Sequence, residues 1–285
     1  MRYTLLRCPQ GRWEIARARP GSDIAPFVSD YSGYAEHSSW MLHCREVATA
    51  IVPFIVSFGA DFQIDLGQDP KAGTRFGSFT TGLYDGYADV ASTGRSRCVQ
   101  ANFTPPGAYR FFGLPMRELA GRVVRLDDIL GAEARLLAER LHDAPGWGTR
   151  LDLLDAFIRE RMARFAGTSP EVLWAWRTLV ASGGAVPVAS LSSELGWSRK
   201  HLAARFSAEI GETPKTAARI LRFVRTRREI ASAGRQPQWA RLAADCGFAD
   251  QAHLIREFQA MAGVTPVQYA VSLGGTADLP PVDPR

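Results

Sequence analysis

The stretch Ser198-Arg199-Lys200-His201-Leu202-Ala203-Ala204-Arg205-Phe206, running on through Gly211 to Thr213-Pro214, returns 52 residues later as Asp250-Gln251-Ala252-His253-Leu254-Ile255-Arg256-Glu257-Phe258, through Gly263 to Thr265-Pro266. Upstream, Leu191, Gly196 and Trp197 match Leu242, Gly247 and Phe248 at an offset of 51, so one residue is inserted in the second turn. Whatever one copy folds into, the other must also fold into. In each, an apolar helix ends at a glycine, a short turn follows, and a polar residue able to cap a helix opens the next one. That is the sequence form of a helix-turn-helix, whose second helix enters the major groove of DNA.

Spacing assigns the faces. Leu202 and Phe206 are four apart and share one side of a helix, as do Leu254 and Phe258; this side packs on the preceding helix. Opposite lie Lys200, Ala204 and Ser207 in the first copy, and Ala252, Arg256 and Gln259 in the second. The two copies therefore read differently. Arg199 and Lys200 come early in the first, whereas the second offers Arg256, able to give a bidentate hydrogen bond to guanine, and Gln251, able to take adenine or a phosphate. A lone surface Arg or Lys is ordinarily just a solvated charge. Placement on the outer face of a duplicated unit favours the reader assignment for Lys200 and Arg256. His201 and His253 share a slot at the edge of the buried face and read as structural. Arg205 and Glu257 share another, with opposite charge, open to a phosphate or to an internal ion pair.

Between the copies, Ala217, Ile220, Leu221, Val224 and Ala231 recur at helical spacing, with Thr213 as cap and Pro214 in the first turn. A helix over Lys215 to Ser232 spans about 27 Å, the scale needed to hold two recognition helices in successive grooves about 34 Å apart. Its outer side, with Lys215, Arg219 and Arg222, is expected to face phosphates. Residues 188–272 hold twelve Lys or Arg against seven Asp or Glu, whereas residues 1–166 hold twenty against nineteen, so the basic excess sits with the repeat. Such a footprint supplies the salt-sensitive part of DNA affinity.

On these residues, 171–272 resembles the two-unit DNA-binding domain of the AraC family of bacterial transcription regulators. Leu242 to Phe258, ending Gly263-Val264-Thr265-Pro266, follows that family's signature closely; the first unit departs from it at Ala217, where an aromatic is usual. The resemblance implies Arg199, Lys200, Ala203 and Ala204 in one groove and Gln251, Ala252 and Arg256 in the next. Ser198, Arg205, Lys215, Arg219, Arg222 and Asp250 are expected on the DNA backbone. It also implies a homodimer formed through the N-terminal region, a small-molecule effector, and RNA polymerase as a partner if the protein activates.

Upstream, residues 12–164 resemble, more diffusely, the sensor or dimerisation domains of one subgroup of that family. Length and a 46% hydrophobic content allow two cores, hence two domains. Val47 to Leu66, Phe76 to Leu83, Tyr84 to Ala91 and Cys98 to Phe103 are short β-type runs punctuated by glycine. They predict a small antiparallel, cupin-like barrel or sandwich. Helical periodicity follows in Ala108 to Leu119, Leu126 to His142 and Leu151 to Phe165, with Asp127 or Asp128 and Thr149 as caps for the last two. The fold class is thus two-domain α+β. It comprises a β-rich sensor over 1–122, a helical segment over 123–166 as candidate dimerisation surface, a linker at 167–170, the double helix-turn-helix over 171–275 and a tail over 276–285. Trp13, Trp40, Phe103 and Tyr109 are expected in the core.

Arg45 and Glu46 beside an apolar strand are candidate effector contacts, a salt-bridged strand end being the plainer reading. His37, His43 and Glu46 lack the H-x-H pair of a cupin metal site, so neither metal nor cofactor is expected. Cys8, Cys44, Cys98 and Cys246 form no C-x-x-C pair and read as reduced thiols. No long apolar segment and no signal-type N-terminus is present, which implies a cytoplasmic protein without membrane contact. Two other classes stand beside the regulator: a DNA-associated enzyme with a β-barrel small-molecule site, and a nonspecific DNA-coating protein. The first would need a nucleophile, phosphate or metal motif that is absent here, and the second a larger charge excess.

Overall fold

Apolar residues alternating with polar ones, as in Val99-Gln100-Ala101-Asn102-Phe103, build two antiparallel sheets in the N-terminal half of the structure, a computed structural model that describes residues 2–8, 11–67, 74–233 and 237–274. The strands are β1 (Arg2–Cys8), β2 (Gly11–Ala18), β3 (Val28–Ser38), β4 (Leu42–Glu46), β5 (Val52–Ser57), β6 (Phe62–Leu66), β7 (Thr74–Phe76), β8 (Phe79–Thr81), β9 (Ala88–Ser92), β10 (Arg97–Phe103) and β11 (Val123–Arg125). One sheet runs β1-β2-β3-β10-β5-β8-β11, the other β4-β9-β6-β7. Among the described residues these do not close into a barrel; the expected antiparallel β region is present as two separate sheets.

Helices α1 (Pro105–Phe112), α2 (Leu126–Leu130), α3 (Ala132–Asp143) and α4 (Trp147–Arg164) follow, with a 3-10 turn at Met116–Glu118. They cover one face of the larger sheet. At Gly33 the approach is so close that a Cβ would fall 2.3 Å from the Trp147 ring. Val52, Phe54, Val56, Val99, Ala101 and Phe103 point the same way and are fully buried with Phe111, Leu154 and Ile158. Phe54 and Phe103 lie 4.9 and 4.8 Å from Phe111 between ring centres.

The expected helix over 126–142 is two helices, divided at Gly131 with φ +57°. Asp127 and Asp128 therefore lie in the first turn of α2 rather than at a cap, and Thr149 lies inside α4, which begins after Gly146. Likewise 108–119 breaks at Gly113, φ +67°. Trp40 is 43% exposed, against expectation, while Trp13 and Phe103 are core. The expected tail at 276–285 lies outside the described residues.

The C-terminal half is helical: α5 (Pro170–Ala181), α6 (Val188–Leu195), α7 (Arg199–Ile210), α8 (Pro214–Ala233), α9 (Trp239–Asp245), α10 (Gln251–Ala262) and α11 (Pro266–Gly274). Helices α6–α7 and α9–α10 are the two copies of the repeat. Each copy has its own core, and α8 feeds both: Ala217, Ala218, Ile220 and Leu221 join Leu202 and Phe206, whereas Phe223 and Ile230 join Leu254 and Phe258. Two residues from the β half complete these cores, Leu83 in the first and Ala48 in the second.

Replacing Phe54 by Ala removes the ring at the centre of the N-terminal core and is expected to cost about 3–5 kcal/mol in urea unfolding monitored by circular dichroism.

Candidate nucleic-acid interface

Helices α7 and α10 are the second helices of their units, and their entry is fixed by side-chain caps. Ser198 Oγ accepts from the His201 amide at 3.2 Å and Asp250 Oδ1 from the His253 amide at 2.6 Å. Thr213 does the same for α8, accepting from Thr216 N at 3.2 Å. The preceding turns pass through Gly196 and Gly247 at φ +65° and +78°, the left-handed region that glycine enters without a Cβ clash. Leu202, Phe206, Leu254 and Phe258 are all fully buried. His201 packs edge-on against Trp197 and His253 against Phe248, with ring centres 4.5 and 5.5 Å apart. The Ala249 amide also donates to His253 Nδ1, at 3.3 Å.

Burying that stripe turns the other face outward. Arg199, Lys200 and Ala204 on α7 and Gln251, Ala252 and Arg256 on α10 are exposed, and Ala203 is half-buried. Lys215 is exposed at the start of α8, and the capping residues Ser198 and Asp250 are exposed too.

The other basic residues expected on the DNA backbone, Arg205, Arg219 and Arg222, have partners within the protein. Arg205 donates to Glu209 at 2.7 Å. Glu209 is itself buried and accepts from the Ser169 amide at 2.6 Å and from its hydroxyl, which ties the start of α5 to the last turn of α7. Arg222 donates to the Gly184 carbonyl at 3.0 Å, and burial pushes its guanidinium pKa down. Arg219 donates through Nε and Nη2 to both oxygens of Glu257, at 2.7 and 3.2 Å, and through Nη1 to Asp85 at 2.9 Å. The hydrogen bonds it donates to Glu257 raise the Arg219 pKa above its usual value. Nearby, burial and then the charge of Asp85 raise the pKa of Glu212. A phosphate brought to Arg219 would meet these carboxylates, so the outward cations expected at 219 and 222 are replaced by internal ones.

Arg45 is held as a salt-bridged strand end. It binds Asp89 through two hydrogen bonds, at 2.7 and 2.9 Å, and lies over the Tyr87 ring, 4.4 Å from its centre. It also abuts the end of α10, since a Cβ at Gly263 would fall 2.6 Å from Arg45 Nη1. Glu46 accepts from the Cys44 thiol at 3.4 Å. The candidate effector pair thus stands where the β half meets the second unit. Sequence reasoning missed Glu209, Asp85, Leu83 and Ala48. Each acts across the fold, and no local pattern marks it.

Residues 191–271 match a family model described as a helix-turn-helix domain, and this segment is a DNA-binding domain of the AraC type. No curated protein is similar enough to the chain to match it. Among solved structures, ToxT from Vibrio cholerae O395 is 10% identical, with 86% of this chain covering 97% of that one at a TM-score of 0.45. ToxT from strain SCE256 bound to an unsaturated fatty acid is 13% identical over 97% of this chain and 99% of that one, TM-score 0.44. The C-terminal domain of AraT, a response regulator from Geobacillus stearothermophilus, is 20% identical over 37% of this chain and 87% of that one, TM-score 0.34. At these scores the likeness in overall arrangement is loose. No helix among the described residues is long and apolar enough to cross a membrane.

Removing the Asp250 cap in Asp250→Ala is expected to destabilise by about 1 kcal/mol, with Asp250→Asn near wild type, as read from thermal unfolding.

Proposed function

We propose that the protein is a sequence-specific transcription regulator whose helices α7 and α10 enter successive major grooves of one DNA duplex. The observation that carries this reading is the division of faces: each helix buries its Leu–Phe pair completely and leaves Arg199, Lys200, Ala204, Gln251, Ala252 and Arg256 open. Arg199, Lys200, Ala203 and Ala204 contact bases in the first groove and Gln251, Ala252 and Arg256 in the second. Backbone contacts come from Lys215 and from the α7 and α10 N-termini at Ser198 and Asp250, where helix dipoles favour phosphate. Arg205, 50% exposed beside its partner Glu209, retains donors for a phosphate.

Control is exerted through the N-terminal half, on the sheet face turned away from α4. Tyr34, next to Gly33, points there and donates to Glu36 Oε2 at 2.6 Å. On the adjacent strand Gln100 donates to Asn102 at 2.7 Å, and Asn102 to Asp30 at 2.9 Å. A polar, part-buried set of this kind supports a site for a small polar effector. Dimerisation uses the helices over 126–165, where Leu136 on α3 is 57% exposed.

Selection of preferred sites from a random DNA pool by the full chain tests the reading. On the selected site, Arg256→Ala is expected to lose about 1–3 kcal/mol of affinity and to relax preference at one base pair. Lys215→Ala is expected to weaken all sequences alike and to reduce the salt slope by about 1. Equal losses for both variants on cognate and scrambled DNA would contradict the reader assignment.

A further inference from the structure

The β half touches both helix-turn-helix units and the helix between them. Leu83, 1% exposed, packs in the core of the first unit; Ala48, 4% exposed, packs in that of the second. The Ala48 amide donates to the carbonyl of Met261 in the last turn of α10, at 3.2 Å. Near Leu83 on the loop joining β8 to β9 stands Asp85, and it meets α8 at Arg219. That guanidinium is a single cation shared by three bodies: its own helix, the second recognition helix through Glu257, and the β half through Asp85. Side-chain exposures of 27% for Arg219, 33% for Asp85 and 20% for Glu257 place the cluster partly out of solvent, where ion pairs are screened less.

Geometry gives this cluster leverage. The fork of Arg219 on both oxygens of Glu257 fixes direction as well as distance. Glu257 adjoins the reader Arg256 on α10, so its pairing with Arg219 bears on where that helix sits against α8. On the other side, α7 is fixed independently. Glu209 ties it to Ser169 at the start of α5, and it is Gly211 at its end that meets the N-terminal half, with a Cβ there 3.4 Å from the Met116 carbonyl. Two recognition helices are thus anchored separately to one N-terminal body, and none of the exposed readers is covered by it.

We propose that Asp85 is a positioning residue which, by sharing Arg219 with Glu257, fixes the orientation of α10 relative to α7 and so restricts the half-site spacing the protein accepts. The inference rests on the reading that both helices enter DNA. Inserting one base pair moves the second half-site about 3.4 Å along the duplex and about 35° around it. A rigidly splinted pair of helices resists that change; a pair joined by α8 alone follows it more easily.

The test uses the full chain and the site selected from the random pool, with one base pair inserted or removed between its halves. Dissociation constants are measured by fluorescence anisotropy for wild type, Asp85→Asn and Arg219→Lys, the last keeping the charge while losing the fork. Expected is a fall of about five-fold or more in the ratio of native-spacing to altered-spacing affinity for both variants, with circular dichroism melts showing them folded. Equal loss of affinity at every spacing, or a wild-type ratio in either folded variant, would overturn the role of Asp85 while leaving the regulator reading intact. Failure of the wild-type chain to select any site would instead remove that reading, and this inference with it.

Discussion

Burial of one leucine and one phenylalanine on each recognition helix decides what the rest of this protein can do. Removing such side chains from water contributes about 1.5–3 kcal/mol apiece, whereas an exposed ion pair contributes about 0–1 kcal/mol. Leu202 with Phe206, and Leu254 with Phe258, therefore dictate which way α7 and α10 roll. With a period of 3.6 residues, Lys200 and Arg256 must then face outward. The polar caps at Ser198 and Asp250 set where each helix starts; the apolar stripe sets its rotation.

Orientation between the two units is a separate matter, and weaker forces settle it. Helix α8, about 30 Å long, supplies side chains to both cores and holds them at a fixed separation. The β half adds Leu83, Ala48 and Asp85 at three points on the same assembly. Arg45, over Tyr87 and against the end of α10, belongs to this boundary as well. A change in the β half thereby has a physical route to α7 and α10, through contacts of modest individual energy.

The helical half was legible in the sequence because its logic is local. Spacing alone identified the buried pairs, the capping residues and the extent of α8. Where it failed, at Arg219 and Arg222, the helical wheel placed a cation outward without knowing that Asp85, Glu257 and the Gly184 carbonyl would lie against it. Strands β1 to β3 escaped notice because charged and small polar residues interrupt them, as Arg12, Glu14 and Arg17 do around Trp13 and Ile15 in β2, which dilutes the apolar signal. The sheet order, which pairs β10 with both β3 and β5, is a long-range outcome that no short window contains. Gly131 and Gly113, which divide expected helices, show how one residue at positive φ outweighs an otherwise continuous periodicity.

Methylation protection at guanine N7 on the selected DNA site reads whether α7 and α10 enter the major groove, since that atom lines it. Entry of both helices protects two patches on one face of the duplex, with centres about one helical turn, 10–10.5 base pairs, apart. A single patch, or two patches on opposite faces, would contradict it.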